Sequence, residues 1–384
     1  MNPNWPKVCL GELLTQVQRE EAPLTGKCYR QIGVKWWGLG SYERESIDGS
    51  QTQYTKLFEA RTGDVVFNKI WARHGSVAVV NDALNGTWVS QEFPLFEANP
   101  NRLNQRWMHW ITRAPWFWST CEKLAQGTSG KNRIKLDQFL GIAIPLPALN
   151  TQEIIVTRID TVQQQLLAAE KLRTSIDRDI ASLLAVRFQE TLTHAKWLPM
   201  SDIAPIVRRD VSVDQTSYAE LGIRSFGKGT FHKPTLSGME LGDKRIYRIE
   251  PGDLLFSNVF AWEGAIAVAQ PEDIGRVGSH RFISCVPHDG LTTAEYLRYY
   301  FLTDEGMTKI RDASPGGAGR NRTLGLAKLM SIQVPIPSPF VREAFIALKR
   351  SLVSLNEHRQ SQDTFSDALL PSLVNRLFSS EANV

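Results

Sequence analysis

From Thr151 to about Leu192 apolar residues recur every three or four positions, at Ile155, Ile159, Val162, Leu166, Ala169, Leu172, Ile176, Ile180 and Leu183. No Gly or Pro interrupts this run. So narrow a seam predicts a long amphipathic helix that packs against another helix. At ~1.5 Å per residue, about 40 residues make a rod of roughly 60 Å. Thr151, with Glu153 behind it, gives only a loose capping signal at the start. A second seam, from about Phe340 to Leu370, carries Phe345, Leu348, Leu352 and Leu355, and resumes at Phe365 and Leu369 after a polar middle, Asn356 to Asp363. Pro371 is expected to stop or kink it, leaving SLVNRLF as a short final piece.

Elsewhere the pattern is shorter and alternates. VVFNKI, SVAVV, LLFSNV and AIAVA predict short strands, and the Gly-Asp pairs before two of them suit tight turns. Segments 103–125 and 293–313 predict helices, with Trp107/Trp110 and Tyr296/Tyr299 three residues apart. The fold class expected is α+β.

These textures occur twice. GDVVFNKIWARHGSVAVV (63–80) faces GDLLFSNVFAWEGAIAVA (252–269), and Gly63/Gly252, Asp64/Asp253, Phe67/Phe256 and Gly75/Gly264 are all separated by 189 residues. The spacing holds for YRQIGVKWWGLG (29–40) against YAELGIRSFGKG (218–229), and for GKNR (130–133) against GRNR (319–322). It slips by one residue at Pro145-Leu146-Pro147 against Pro335-Ile336-Pro337. Solenoids and propellers repeat every ~20–50 residues, so a period this long means that whole domains are duplicated. The expected organisation is a first globular domain at 1–150, a helix at 151–194, a second globular domain at 195–338, and a helix with a tail at 339–384. Two exposed seams are best covered by each other, and an antiparallel coiled coil would relate the two similar α/β domains by a pseudo-twofold axis.

Composition narrows the chemistry. Hydrophobic residues at 42% and charged residues at 22% are ordinary for a soluble protein of 384 residues. The 44 Lys and Arg against 40 Asp and Glu leave +4, which permits nucleic-acid binding without demanding it. Cys9, Cys28, Cys121 and Cys285 are scattered without zinc-like spacing and read as reduced, mostly buried thiols. The N-terminal segment has no signal-peptide pattern, and no apolar run approaches the ~18 residues that span a bilayer, so a cytoplasmic location is expected.

Searches for catalytic motifs come up empty. An adenine methyltransferase needs an Asn/Asp-Pro-Pro-aromatic tetrapeptide, and Asn2-Pro3-Asn4-Trp5 is not one. HExxH, GxSxG and a dinucleotide GxGxxG in strand–helix context are absent from the sequence. Gly222 to Gly229 approaches a phosphate-cradling loop, but Gly229 stands where a Ser or Thr must bind magnesium, so a turn is the expected reading.

The best binding candidates are the two Gly-rich basic turns, with Lys131, Asn132 and Arg133 in one and Arg320, Asn321 and Arg322 in the other. Lys or Arg beside open backbone N–H groups suits phosphate, and Asn or Arg reads base edges. The alternative is a structural turn whose Arg pairs with a carboxylate of its own domain. The loop after each Gly-Asp strand keeps its apolar and Gly positions while its polar ones differ, as expected where one scaffold serves two targets. Lys69, Arg73 and Asn258 are contact candidates there, while Trp71 and Trp262 suit a core or wall equally well. Lys35, Arg224 and the pair Arg208-Arg209 carry less weight, since surface charges are usually just solvated. His74, His232 and His280 have no spacing that marks a ligand.

Taken together, the duplicated blocks and the repeated junction resemble the DNA specificity subunit of type I restriction–modification systems. That junction is a Gly-rich basic turn, then LDQFLGIAIPLPAL (136–149) or LAKLMSIQVPIPSP (326–339), then a long helix, and the resemblance covers essentially the whole chain. It implies that each globular domain is a target recognition domain reading one half of a bipartite, asymmetric site in double-stranded DNA. The coiled coil would set the spacing and dock two modification subunits. It further implies that S-adenosylmethionine, ATP and Mg belong to the modification and restriction/translocase partners, with no catalysis and no cofactor on this chain. Other readings are a DNA-targeting subunit of a related defence or methylation-only system and, from a different class, a duplicated protein-binding scaffold.

Overall fold

The computed structural model describes residues 5–125, 133–212, 217–241, 245–316 and 322–378, without the side chains of 360–365 and 367. The chain divides into two units, Met1–Thr174 with Arg359–Val384, and Ser175–His358.

In unit 1 an antiparallel four-stranded sheet runs in the order Val77–Val79, Val65–Phe67, Leu95–Ala98, Leu14–Val17. In unit 2 the order is Ile266–Val268, Leu254–Ser257, Phe282–Cys285, Ile206–Val207, the same topology built from the corresponding segments. Alternate residues of each strand face opposite sides. Val65 and Phe67 therefore enter one core with Phe96, while Val66 enters a second with Ile32 and Ala78. Helices Gln105–Ile111 and Pro115–Leu124 cover the sheet of unit 1, and Ala294–Phe301 and Asp304–Asp312 do so in unit 2. A side chain caps the first helix of each pair, Asn104 in unit 1 and Thr293 in unit 2, by accepting from N–H groups that would otherwise be orphaned.

Each Pro-x-Pro junction begins on a short strand that closes the unit. Lys7–Cys9 pairs with Ala143–Pro145, and Lys196–Pro199 pairs with Gln333–Ile336. The long helices follow, Leu149–Leu192 and Pro339–Phe378. In unit 1, Val156 and Ile159 near the start of the first helix share a core with Val374 and Phe378 near the end of the second. Further along, Arg173 donates to Ser366 Oγ at 3.1 Å. Within this unit the two helices are therefore antiparallel. In unit 2 the end of the first helix meets the start of the second, with the rings of Phe188 and Phe345 5.4 Å apart.

Three expectations need correction. Pro371 neither ends nor splits the second helix, which continues to Phe378. Its ring removes one backbone hydrogen bond, but Leu370, Leu373, Val374 and Leu377 around it pack on the core of unit 1 and offset that loss. The seam is also not covered throughout, since Leu172 is 65% exposed and Ile176 42%. Finally, Cys9 and Cys28 are exposed; only Cys121 and Cys285 are buried, and burial pushes both thiols up to about 12.

Candidate functional site

The Gly-Asp turns have a second partner that local sequence does not reveal. Gly63 and Gly252 take φ of 88° and 90°, the left-handed region that favours glycine. The following Asp64 and Asp253 are each only 2% exposed. Asp64 accepts from the Arg61 N–H at 2.8 Å, which closes the turn, and is gripped by both Arg19 nitrogens at 2.7 and 3.1 Å. Asp253 accepts from the Glu250 N–H at 3.1 Å and from Arg209 at 2.6 and 3.0 Å. The paired carboxylate raises the pKa of each guanidinium. Arg209 is therefore engaged inside its own domain rather than offered to a partner. Neighbouring Arg208 lies over the Tyr247 ring at 5.4 Å.

Behind each turn, segments distant in sequence converge. In unit 1, Trp37 N–H donates to His74 O at 2.7 Å and Gly38 N–H to Gly75 O at 3.0 Å, while Ile134 N–H donates to Lys69 O at 2.9 Å. In unit 2, Phe226 donates to Glu263 O at 2.9 Å, Gly227 to Gly264 O at 2.8 Å, and Leu324 to Asn258 O at 2.9 Å. The same backbone bonds thus join the same segments twice. The loops carrying Lys35, Lys69, Arg73 and Arg133 are held together in unit 1, and those carrying Arg224, Asn258 and Arg322 in unit 2.

The side chains are engaged to different degrees. Lys35 is exposed beside the Tyr42 ring, and Arg224 is exposed, lying over the Phe231 ring and donating to Thr230 O at 3.0 Å. Lys69 is half-buried, and its backbone N–H donates to Glu92 O. Arg73 lies over the Trp71 ring at 5.5 Å, and its buried Nε finds no hydrogen-bond partner among the described residues. The Oδ1 of Asn258 is likewise buried and unpartnered. Arg133 pairs with Glu92 at 3.3 Å, the own-domain contact that the structural reading anticipates, whereas Arg322 lies over the Trp262 ring at 5.3 Å. Lys131, Asn132, Arg320 and Asn321 lie outside the described residues. Gly222 to Gly229 joins the hairpin strands Ser217–Ile223 and Thr230–Ser237 instead of leading into a helix, so it is a turn and not a phosphate loop.

Reading the cations alone misses the aromatics at the centre of these loops. Trp37 and Phe226, equivalent in the repeat, hold φ of 57° and 60°. They are the non-glycine residues with positive φ among those described. For bulky side chains such strain costs about 1–3 kcal/mol each and concentrates at functional sites. Both are exposed, Trp37 at 50% and Phe226 at 76%. Around Trp37, the ring of Trp36 lies tilted 5.1 Å from that of Trp71, and His74 lies against all three indoles. The sequence signal was the aromatic-Gly pair kept in both copies, WWG and SFG.

Among the described residues no group of three or more His, Cys, Asp or Glu is placed to hold a metal ion, and no helix is long and apolar enough to cross a membrane. Residues 2–177 match the family model for the type I restriction modification DNA specificity domain. No curated protein sequence matches the chain. Among solved structures, the HsdS subunit from Thermoanaerobacter tengcongensis is similar at a TM-score of 0.63 and 16% identity, over 100% of this chain and 98% of that one. A chain from a study of complex assembly and conformational transition of the type I R-M system gives a TM-score of 0.69 at 16% identity, over 99% of both chains. Residues 2–177 are therefore similar to the type I restriction modification DNA specificity domain, and the chain over its whole length shares its fold with the HsdS subunit of known structure.

Proposed function

We propose that each unit reads one half of a bipartite, asymmetric site in double-stranded DNA, and that the chain delivers partner subunits to that site. The observation that carries this reading is the doubled convergence of three loops. Identical backbone bonds hold them in both units, yet the side chains presented are Lys35, Arg73, Trp71 and Trp37 in one and Arg224, Trp262, Phe260 and Phe226 in the other. A shared scaffold with different side chains suits two different half-sites. Lys and Arg would contact phosphates and give salt-dependent affinity, while the grooves are read by side chains reaching base edges.

The two long helices would set the gap between half-sites and dock two modification subunits. Apolar side chains exposed along them, among them Leu167, Leu172, Val186 and Leu355, fit a helical partner. Methylation of adenine, with its S-adenosylmethionine, and ATP- and Mg-dependent translocation would belong to partner subunits. This chain would bind no cofactor, and the target base would be flipped into the partner's pocket.

Co-expression with the adjacent methyltransferase gene, followed by single-molecule sequencing for modified adenines, tests the reading. A split motif with a fixed unread gap supports it. A continuous motif, or no modification, contradicts it. Matched insertions of four residues, about 6 Å of helix, in both long helices should lengthen the gap and leave both half-sites unchanged.

A further inference from the structure

Corresponding helix positions fill the same space differently in the two units. In unit 1, Trp118 on the helix Pro115–Leu124 lies against Gly75, where an added methyl group would sit 2.7 Å from the indole. Its ring is 5.8 Å from that of Trp37, and its Nε1 donates to Thr112 O at 2.7 Å. The equivalent residue in unit 2 is Met307, on the helix Asp304–Asp312. Methionine is slimmer than tryptophan. In unit 2 a cavity of about 550 Å³ lies here, lined by Phe226, Trp262, Leu302, Met307, Arg311 and Arg322.

The lining is chemically specific. Phe226 is presented by the left-handed backbone that two hydrogen bonds to the neighbouring loop hold in place. The Trp262 indole is fixed by its Nε1 donating to Val259 O at 2.9 Å. Arg311 and Arg322 have no carboxylate within ion-pair distance among the described residues, and Arg322 is oriented over the Trp262 ring. Glu263 is the carboxylate in the lining, and one of its oxygens accepts from Ser225 Oγ at 3.0 Å. Aromatic faces for stacking, two cations for a phosphate and one acceptor for an amino group together match a nucleotide. The volume falls in the range of small-ligand sites, ~300–1,000 Å³. An acidic peptide would use the cations and leave the aromatic faces without a planar partner.

We propose that this cavity receives one unstacked nucleotide of the DNA bound by unit 2, with its base against Phe226 and Trp262, its phosphate at Arg311 and Arg322, and its amino group donating to Glu263. Unit 1, with Trp118 in the corresponding place, leaves its half-site stacked there. The inference rests on the DNA-reading role proposed above and adds an asymmetry between the two half-sites.

The test uses the complex with its modification subunits and a duplex carrying the site read from modified adenines. Fluorescent base analogues are placed in turn along each half-site, since their emission rises on unstacking. Chimeras identify which half belongs to unit 2. The expected result is a several-fold rise at one position beyond the methylated adenine, in the half-site of unit 2 alone. Met307→Trp, which gives unit 2 the side chain that unit 1 already accommodates, should abolish that rise and keep the signal at the methylated adenine. Phe226→Gly, which relieves the left-handed strain and removes the aromatic wall, should also abolish that rise, and replaces the Trp variant should the latter fail to fold. No such position in the wild-type complex, or a rise unchanged in both variants, overturns the proposal while leaving DNA reading intact. A wild-type complex that does not retain the duplex overturns the DNA reading itself.

Discussion

Arg106 grips Asp160 with two guanidinium nitrogens, at 2.6 and 3.1 Å, and so ties the globular part of unit 1 to the first long helix. Unit 2 makes the corresponding tie with the charges exchanged, as Arg350 of the second long helix holds Glu295 at 3.0 and 3.1 Å. The geometry is kept while its signs are reversed, which leaves each globular part matched to its own helix.

Asp160 also accepts from the indole of buried Trp110 at 2.9 Å. An exposed ion pair contributes at most about 1 kcal/mol, but a buried donor left unpaired costs about 1–3 kcal/mol. Asp160→Ala should therefore destabilise unit 1 by about 2 kcal/mol. Asp160→Asn, which still offers an acceptor, and Arg106→Ala should each cost less than about 1 kcal/mol. Urea denaturation of the three variants checks the order.

Arg19 and Arg209 hold carboxylates that are almost completely buried. Removing one partner of a buried pair strands the other charge and costs about 3–5 kcal/mol. Arg209→Met should lower the melting temperature of unit 2, and Arg19→Met that of unit 1, by calorimetry. Neither change removes a DNA contact in this account, so DNA affinity measured well below the transition should stay the same.

Burial, reinforced by Arg106 and Arg113, lowers the pKa of His109 to about 4. The unfolded chain takes up this proton near pH 6.5 and the folded chain does not until about pH 4. The stability associated with neutral His109 is therefore complete above pH 6.5 and is lost as pH falls toward 4, by up to about 3 kcal/mol. Denaturation at a series of pH values should show that slope in the wild type and a flatter one in His109→Gln.

Much of this architecture was legible because it is written in local patterns. The constant spacing between Gly63 and Gly252 located equivalent turns, and the seam from Ile155 located the first long helix. What stayed hidden depends on partners far along the chain. Asp64 and Asp253 read only as turn residues, because the arginines that bury them lie 45 and 44 positions earlier. Pro371 read as a terminator, because local preference cannot weigh the packing of Leu373, Val374 and Leu377 around it. At the candidate site the cations were visible as types, but not that Arg133 already pairs with Glu92. Met307 carried no signal until the cavity that it lines was seen.

Arg322 faces no carboxylate among the described residues, unlike Arg133. Arg322→Ala should therefore weaken DNA binding more than Arg133→Ala. A lost phosphate contact would reduce the slope of log affinity against log salt by about 0.9. A titration of the intact complex across several salt concentrations measures both.

The central claim is that the two units sense the two halves of one site independently. Replacing residues 1–150 with the corresponding segment of a relative of different specificity, then sequencing the modified adenines, tests it most directly. One half-site should change while the other half and the gap stay as they were. A chimera that folds and methylates yet alters both halves, or neither, would contradict the account.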